Sequence, residues 1–332
     1  MASSIFLVGN IVIDTKIAVD GLVSVNTGGP PSFSLNYLFN TQDVEKKTVV
    51  VISCNPVPFN QDGIAKIVRQ LLEETGPHIF TSSRVFTRFT IDYSTKSGNG
   101  EDRRLFLTSF SGPIDPSFTD HLPEKAAVIL SPVYQEITED ALERLATRED
   151  LFIAIDPQGF LRYIGRNQRI YPKKLPENFP FGLFSVIKFS IDDLKLVLLE
   201  DAELIARKMK KFISNPEKII LLTLGEKGAV AMQSDRIIQV DAIPSLVVDQ
   251  TGAGDVFLSA FVNTYMEKQD LDSAIRIATA ASSCLIERHG IRGVENFEKI
   301  LQRSRGCKIK EVNDISISDV LRRIKKGKFS IH

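Results

Sequence analysis

The chain has few of the residues that would point to a metal or a disulfide scaffold. Among its 332 residues are only three cysteines, Cys54, Cys284 and Cys307. They are scattered, odd in number and lack CxxC spacing, which excludes a disulfide framework and a cysteine zinc site and fits a reducing compartment. The four histidines show no ligand spacing, so core or surface roles are expected for His121, His289 and the other two. Charge of either sign is not in excess. The 41 Lys+Arg balance 41 Asp+Glu to a formal net charge of +0, whereas a nucleic-acid binder carries a basic surplus. No apolar run approaches the roughly 18–20 residues needed to span a membrane. The opening MASSIFLVGNIVIDT is apolar but lacks a basic leader, and Gly9, Asn10 and Asp14 interrupt it, so no signal peptide is expected. Two nucleotide signatures are also missing. No GxGxxG follows the first candidate strand, which argues against a dinucleotide dehydrogenase, and no GxxxxGK[ST] occurs, which excludes a P-loop kinase. These absences leave a cytoplasmic globular protein without nucleic-acid or membrane partners.

What is present is ordinary in amount and informative in order. Apolar residues make up 43% and charged residues 25%, as in soluble domains. The length suits one large domain with a small appendage. Short β-branched runs predict strands over 5–13, 48–53, 126–130, 151–155, 185–188 and 218–223. Most are continuously apolar, as strands buried on both faces of a parallel sheet are. Amphipathic stretches predict helices over 31–40, 61–74, 139–147, 192–200, 201–213, 254–267 and 272–287. Alternation of this kind implies a doubly wound α/β sheet, with ligands beyond the C-terminal strand ends. Residues 85–93 and 103–110 break the rhythm. They flank a polar tip with Ser97-Gly98-Asn99-Gly100 and predict a long β-hairpin. A hairpin needs something to pack on, so it is either a flap over the site or an edge decoration. The basic end, with Arg322, Arg323, Lys325, Lys326 and Lys328, predicts a solvated helix or tail over 314–328.

The stretch Val247-Val248-Asp249-Gln250-Thr251-Gly252-Ala253-Gly254-Asp255 carries the most chemistry. A strand-like segment ends in a glycine turn that opens a helix. Glycines let a ligand approach the backbone closely, and first-turn amides at the positive end of a helix form an anion site. The amides of Gly252, Ala253 and Gly254 are the candidates. Asp255 follows beside them. A hydroxyl that attacks a phosphoryl group must lose its proton, so a carboxylate next to an anion site supplies both requirements of phosphoryl transfer. Taken without the surrounding string, a bare GxG followed by Asp would be an ordinary helix start.

The full string Asp-x-Thr-Gly-Ala-Gly-Asp resembles the second diagnostic motif of the ribokinase-like (PfkB) carbohydrate kinase family. The resemblance extends over about residues 5–297, loosely in the middle. It implies a ribokinase-like α/β domain over residues 1–300, with β-lid segments over 12–25 and 85–111, followed by a helical, basic extension over 301–332. It also implies a homodimer through the lid. Leu7-Val8-Gly9-Asn10-Ile11-Val12-Ile13-Asp14 matches the family's first strand, with Asp14 holding substrate hydroxyls and Asn10 beside it. Gly28-Gly29 matches the glycine pair that opens a helix at the substrate, but Phe33 stands where many members have Asn. Thr223, Gly225 and Gly228, in Leu221-Leu222-Thr223-Leu224-Gly225-Glu226-Lys227-Gly228, match the strand–turn–strand segment that touches ATP. Ser190-Ile191-Asp192-Asp193 stands in place of Asn-x-x-Glu, putting Ser190 on the nucleotide side and Asp193 toward Mg²⁺ through water. A Ser cap on a helix reads that string equally well. Asp249 and Thr251, with residues 286–293 nearby, match the surroundings of a monovalent cation, K⁺. Gly29-Pro-Pro-Ser-Phe-Ser34 and Asp156-Pro-Gln-Gly-Phe-Leu-Arg162 are similar to segments of the myo-inositol kinase-like branch, which places Gln158 and Arg162 near substrate or the γ-phosphate. The implied activity is ATP-dependent phosphorylation of a sugar or polyol hydroxyl, with myo-inositol the subgroup's acceptor. Fructose, ribose or a nucleoside as acceptor, or a binding regulator without catalysis, are the alternatives.

Overall fold

The continuous apolar runs become strands of one ten-stranded sheet in the computed structural model of the chain. The described residues are 4–41, 47–56, 66–94, 96–97, 100–101, 104–197, 202–312 and 319–322. Across the sheet the strands run Ile309–Glu311, Arg236–Val240, Ala229–Gln233, Ile219–Thr223, Val186–Ser190, Phe152–Ile155, Ala127–Leu130, Ser4–Val8, Thr48–Asn55 and Ile79–Ser82. The seven from Ile219–Thr223 to Ile79–Ser82 pair in parallel, and the first three add antiparallel edges. Both faces are covered, as a parallel sheet requires. Strand alternation divides the side chains between two cores: Ile5 and Leu7 pack in one, Phe6 and Val8 in the other. The first core is shared by helices Pro30–Thr41, Lys66–Thr75, Ala253–Lys268, Leu271–Leu285 and Phe297–Ser304, the second by Glu139–Ala146 and Ala202–Ile213. The result is the expected doubly wound, ribokinase-like α/β architecture.

One expected strand divides. The apolar run over 5–13 forms two strands in two sheets. Ser4–Val8 stays in the central sheet, and the chain turns out of it at Gly9, where a Cβ would sit 2.7 Å from the Ser131 carbonyl oxygen. Val12–Ile17 then begins a second, four-stranded sheet in the order Val23–Gly28, Val12–Ile17, Thr87–Asp92, Arg104–Ser109. The run reads as one strand because Ile11, between the two, is itself buried in the core. Asp14 therefore belongs to the second sheet, not to the end of the first strand. The hairpin over 85–110 joins the same sheet, because Thr87–Asp92 pairs in parallel with Val12–Ile17. The segments expected to make a lid are thus assembled together. Part of the hairpin tip lies outside the described residues.

Other boundaries shift by a residue or a few. Helix 254–267 is Ala253–Lys268, and 192–200 is described over Ile191–Val197. Helix 61–74 is described from Lys66, its first residues falling outside the described set. Residue 300 lies within helix Phe297–Ser304, and Ile309–Glu311 fastens the following segment to the sheet edge. Of the basic end, only 319–322 are described and are helical. Among the described residues no helix is long and apolar enough to cross a membrane.

Candidate active site

Gly252 caps helix Ala253–Lys268 in the left-handed region, φ 81°, and no side chain bonds to the amides of the helix start. Glycine is required there on two counts, since a Cβ would also overlap the Phe33 ring. Phe33, buried at the position where an Asn was the family's usual choice, forms an apolar floor under the turn. Orphan amides at a helix N-terminus attract an anion. One of the three expected amides has a protein partner: Ala253 N–H donates to the Gln250 carbonyl at 3.3 Å. Of the three, Gly252 and Gly254 remain the candidate amides for an anion.

Neighbouring parallel strands deliver charge to this turn. Asp156 follows strand Phe152–Ile155, and Lys188 projects from Val186–Ser190. Their side chains form a buried ion pair, Nζ to Oδ2, of 2.5 Å. Lys188 also reaches the turn itself: a Cβ on Gly254 would lie 2.8 Å from its Nζ. Only glycine leaves that ammonium room beside the helix N-terminus. Asp255, in the first turn, is pushed up to about 7 by burial and then by the Asp156 carboxylate, with Lys188 and Arg162 opposing and Asp14 adding to the rise. Burial alone would lower Lys188, but Asp156, Asp193 and Asp255 outweigh it and hold its ammonium above the ordinary range. Burial, reinforced by Asp156, also raises Asp193, against Ser190, Lys188 and Arg162. These mutual influences place Asp255, Asp156, Lys188, Arg162 and Asp193 in one electrostatic cluster at the C-terminal strand ends, where a doubly wound sheet binds ligands.

Of the residues expected at the acceptor, Asp14 and Gly28 lie together. Asp14, buried, presents its carboxylate to Gly28, where a Cβ would overlap it. Gly29, φ 85°, leaves a Cβ no space against the Asn10 carbonyl and the Val12 amide. Arg162 donates to the Val133 carbonyl at 2.7 Å and to Gln158 Oε1 at 2.8 Å, so these two site residues position one another. Asn10, expected at the substrate, is bonded into the fold. Its side-chain amide donates to Ser111 Oγ at 2.9 Å and its Oδ1 accepts from Cys54 N–H at 2.9 Å. It joins the hairpin's end to the central sheet.

Of the residues expected at the nucleotide, Ser190 and Thr223 lie level at adjacent strand ends. Gly225–Lys227 forms the turn between Ile219–Thr223 and Ala229–Gln233, and Gly228, φ 88°, passes so close to Val240 and Ala242 that no Cβ fits. Ser190 Oγ donates to Asp193 Oδ2 at 2.5 Å, and Asp193 N–H donates to Ser190 Oγ at 3.1 Å. This reciprocal capping pattern opens helix Ile191–Val197 and aims Asp193 at the cluster. The capping reading of the Ser-x-x-Asp string is thus observed.

Asp249 and Thr251, expected around a monovalent cation, hold Lys16 instead. Its Nζ lies 2.7 Å from both Asp249 carboxylate oxygens and 2.7 Å from Thr251 Oγ1. Burial would raise Asp249, but Lys16 and the Thr251 donors bring it below the usual carboxylate range. The sequence reading missed Lys16, Lys188 and Glu136. Lys188 had a usable signal, because a lysine inside the apolar run Ser185-Val186-Ile187-Lys188-Phe189 must have a buried partner. Glu136 gave none: it is fully buried and accepts from the amides of Val133 at 2.8 Å and Tyr134 at 2.7 Å, an arrangement only the folded loop creates.

Known proteins resemble the chain in part of its sequence and in its fold. Residues 173–296 match the pfkB family carbohydrate kinase model. Over 136 residues the chain is 29% identical to an ATP-dependent 6-phosphofructokinase of Thermoanaerobacterium thermosaccharolyticum, covering 40% of each protein. Over 72 residues it is 38% identical to a nucleoside kinase of Methanothermobacter thermautotrophicus, covering 22% of this chain and 23% of that one. The chain thus aligns with less than half the length of these curated relatives. Solved structures match over nearly their whole length. A pyrophosphate-dependent kinase in the ribokinase family, complexed with a pyrophosphate analog and myo-inositol, superposes with a TM-score of 0.70 at 19% identity, covering 90% of this chain and 99% of that one. Arabidopsis thaliana ribokinase complexed with ribose and ATP superposes at 0.64 and 16% identity, covering 92% and 99%. At such identities these two likenesses establish the fold.

Proposed function

We propose that the chain, whose residues 173–296 match the pfkB family carbohydrate kinase model, is a kinase of that family and transfers the γ-phosphoryl group of ATP to a hydroxyl of a sugar or cyclic polyol. One observation carries the reading: Asp255 stands in the first turn of a glycine-capped helix, raised to about 7, with the buried Lys188 against the same turn. A base near neutrality takes up the hydroxyl proton efficiently without being fully protonated at working pH. The Gly252 and Gly254 amides and Lys188 face the negative charge of the transferred group, and fixed donors of this kind each contribute about 10²–10³ in rate. Lys188 cannot give up its proton readily beside Asp156, so it acts as a fixed charge. Arg162, held by Gln158 and the Val133 carbonyl, adds a second.

Asp14, Gly28 and Gly29 orient the acceptor under the lid sheet, and Thr223, Gly225, Gly228 and Ser190 line the donor side. Magnesium is proposed with the nucleotide, where it neutralises phosphate charge. Among the described residues no three His, Cys, Asp or Glu side chains gather into a metal site. Asp193 would be the protein's carboxylate toward magnesium, which would offset phosphate charge. Myo-inositol is the first acceptor to test. It is bound by a superposing structure, and Phe33 removes a polar group from the pocket floor. Leu22, Val23 and Val25 expose apolar surface on the lid, Leu22 at 70%, which supports pairing of two lids in a cytoplasmic homodimer. The test is ATP consumption at saturating MgATP over myo-inositol, fructose, ribose and nucleosides. Rapid turnover with one acceptor is expected, and silence across the panel despite ATP binding would favour a binding protein.

A further inference from the structure

The family resemblance implies a monovalent cation beside Asp249, Thr251 and the segment after Ile286, and the residues present do not fit one. Every side-chain oxygen of the pair already has a donor. Asp249 Oδ1 accepts from Lys16 Nζ and, at 3.0 Å, from Thr251 N–H. Oδ2 accepts from Lys16 Nζ and, at 3.1 Å, from Gly290 N–H. Thr251 Oγ1 lies against the same ammonium. The Ile286 carbonyl accepts the amides of Val248 at 2.7 Å and Asp249 at 3.1 Å. An added cation would have to displace an ammonium from a carboxylate that is only 10% exposed.

Resting on the kinase reading above, we propose that Lys16 Nζ is itself the resident cation of the catalytic turn, so that the enzyme works without an exchangeable one. An ammonium bears the same single charge as an alkali ion, and three oxygens of one turn surround it at one distance. Because it is tethered, it competes at high effective concentration with any ion from solution. Asp249 needs such a partner, since a buried carboxylate without a counter-charge is costly.

The tether also has a direction. Lys16 lies on Val12–Ile17, the lid strand that carries Asp14. Two residues apart on a strand, their side chains leave the same face. Asp14 goes to Gly28 and Lys16 goes to Asp249. The strand that orients the acceptor is thereby tied to the turn that binds the transferring phosphoryl group. Lys16 is a positioning residue: it acts through the turn, not on substrate.

Thermal unfolding of the full chain in choline chloride and in potassium chloride, at equal ionic strength, reads this site even if no acceptor is found. The wild type is expected to unfold at the same temperature in both salts and, with an acceptor, to turn over at the same rate. A saturable gain of either in K⁺ overturns the proposal. Lys16→Met is expected to unfold at a lower temperature in choline chloride, to lose turnover there, and to regain both on adding K⁺ or NH₄⁺. A variant indistinguishable from wild type in choline chloride overturns the proposal. A loss that neither ion restores also overturns it, by reducing the contact to a plain ion pair. If no acceptor is phosphorylated, the unfolding results still decide the cation question, so failure here and failure of the kinase reading are told apart.

Discussion

The central sheet and the lid sheet handle charge differently. In the central sheet, Lys188 projects from a strand buried on both faces and meets Asp156 out of water, 3% and 5% exposed. In the lid, Arg104 pairs with Asp92 at 29% and 12% exposure, and Val23–Gly28 turns four of its six residues to solvent. A pair shielded from water keeps its orientation and its field, as transfer of a charged group requires. A partly exposed pair is screened more and weaker, which would suit the proposed cover over the acceptor. Lys16, on the same sheet, is held by Asp249 at the point where that sheet meets the glycine turn. The variants that follow test whether the buried cluster governs rate while the lid's outer charges do not.

The largest expected effect is from Asp255→Asn, which keeps the shape of the site and removes the base. Turnover should fall by about 10²–10⁴ while nucleotide binding, followed by titration, persists. Lys188→Met should cost about 10²–10³ in turnover. It should also cost about 3–5 kcal/mol in urea unfolding, because Asp156 is left buried without its partner. Adding Asp156→Asn should restore most of the stability and none of the rate, which separates the two roles of Lys188. Smaller is the strain of Gly252→Ala: a non-glycine residue at φ 81° pressed on Phe33 should lose about 1–3 kcal/mol. Smallest is Arg104→Ala in the lid, expected to change stability by about 1 kcal/mol or less and leave turnover at saturating substrate unaltered. A large loss of turnover from Arg104→Ala would dissolve the contrast between the two sheets.

The raised Asp255 also predicts a pH dependence with a definite sign. Between its ordinary value of 3.8 and about 7, the folded state holds a proton that the unfolded chain has released. Stability contributed by this group therefore falls as pH rises through that window and levels above it. Asp255→Asn should flatten that slope and unfold at a higher temperature than wild type at neutral pH.

Much of this arrangement was legible before folding, and the parts that were not have a physical reason. The Asp249–Asp255 string fixes its own local geometry, because glycines and a helix start are short-range features, and the structure forms that turn. The buried strands were legible because a strand covered on both faces is apolar throughout. The division of 5–13 was not, since Ile11 is buried between two sheets and leaves no break in the apolar pattern. Asn10 is placed at the substrate, with Asp14, only by the resemblance of the Leu7–Asp14 string. Its partners, Cys54 and Ser111, are brought to it only by the fold. Lys16 reaches Asp249 across 233 positions of sequence, a separation at which no periodicity or spacing speaks.

The central claim is that Asp255 takes the proton in phosphoryl transfer, and the most direct test is MgATP consumption with the best acceptor, followed from acid to alkaline pH for wild type and Asp255→Asn. The account predicts that wild-type kcat/KM rises with an apparent pKa near about 7 and then levels, while the variant stays flat and at least about a hundredfold lower. The same rising profile in both proteins, at comparable rates, would contradict it.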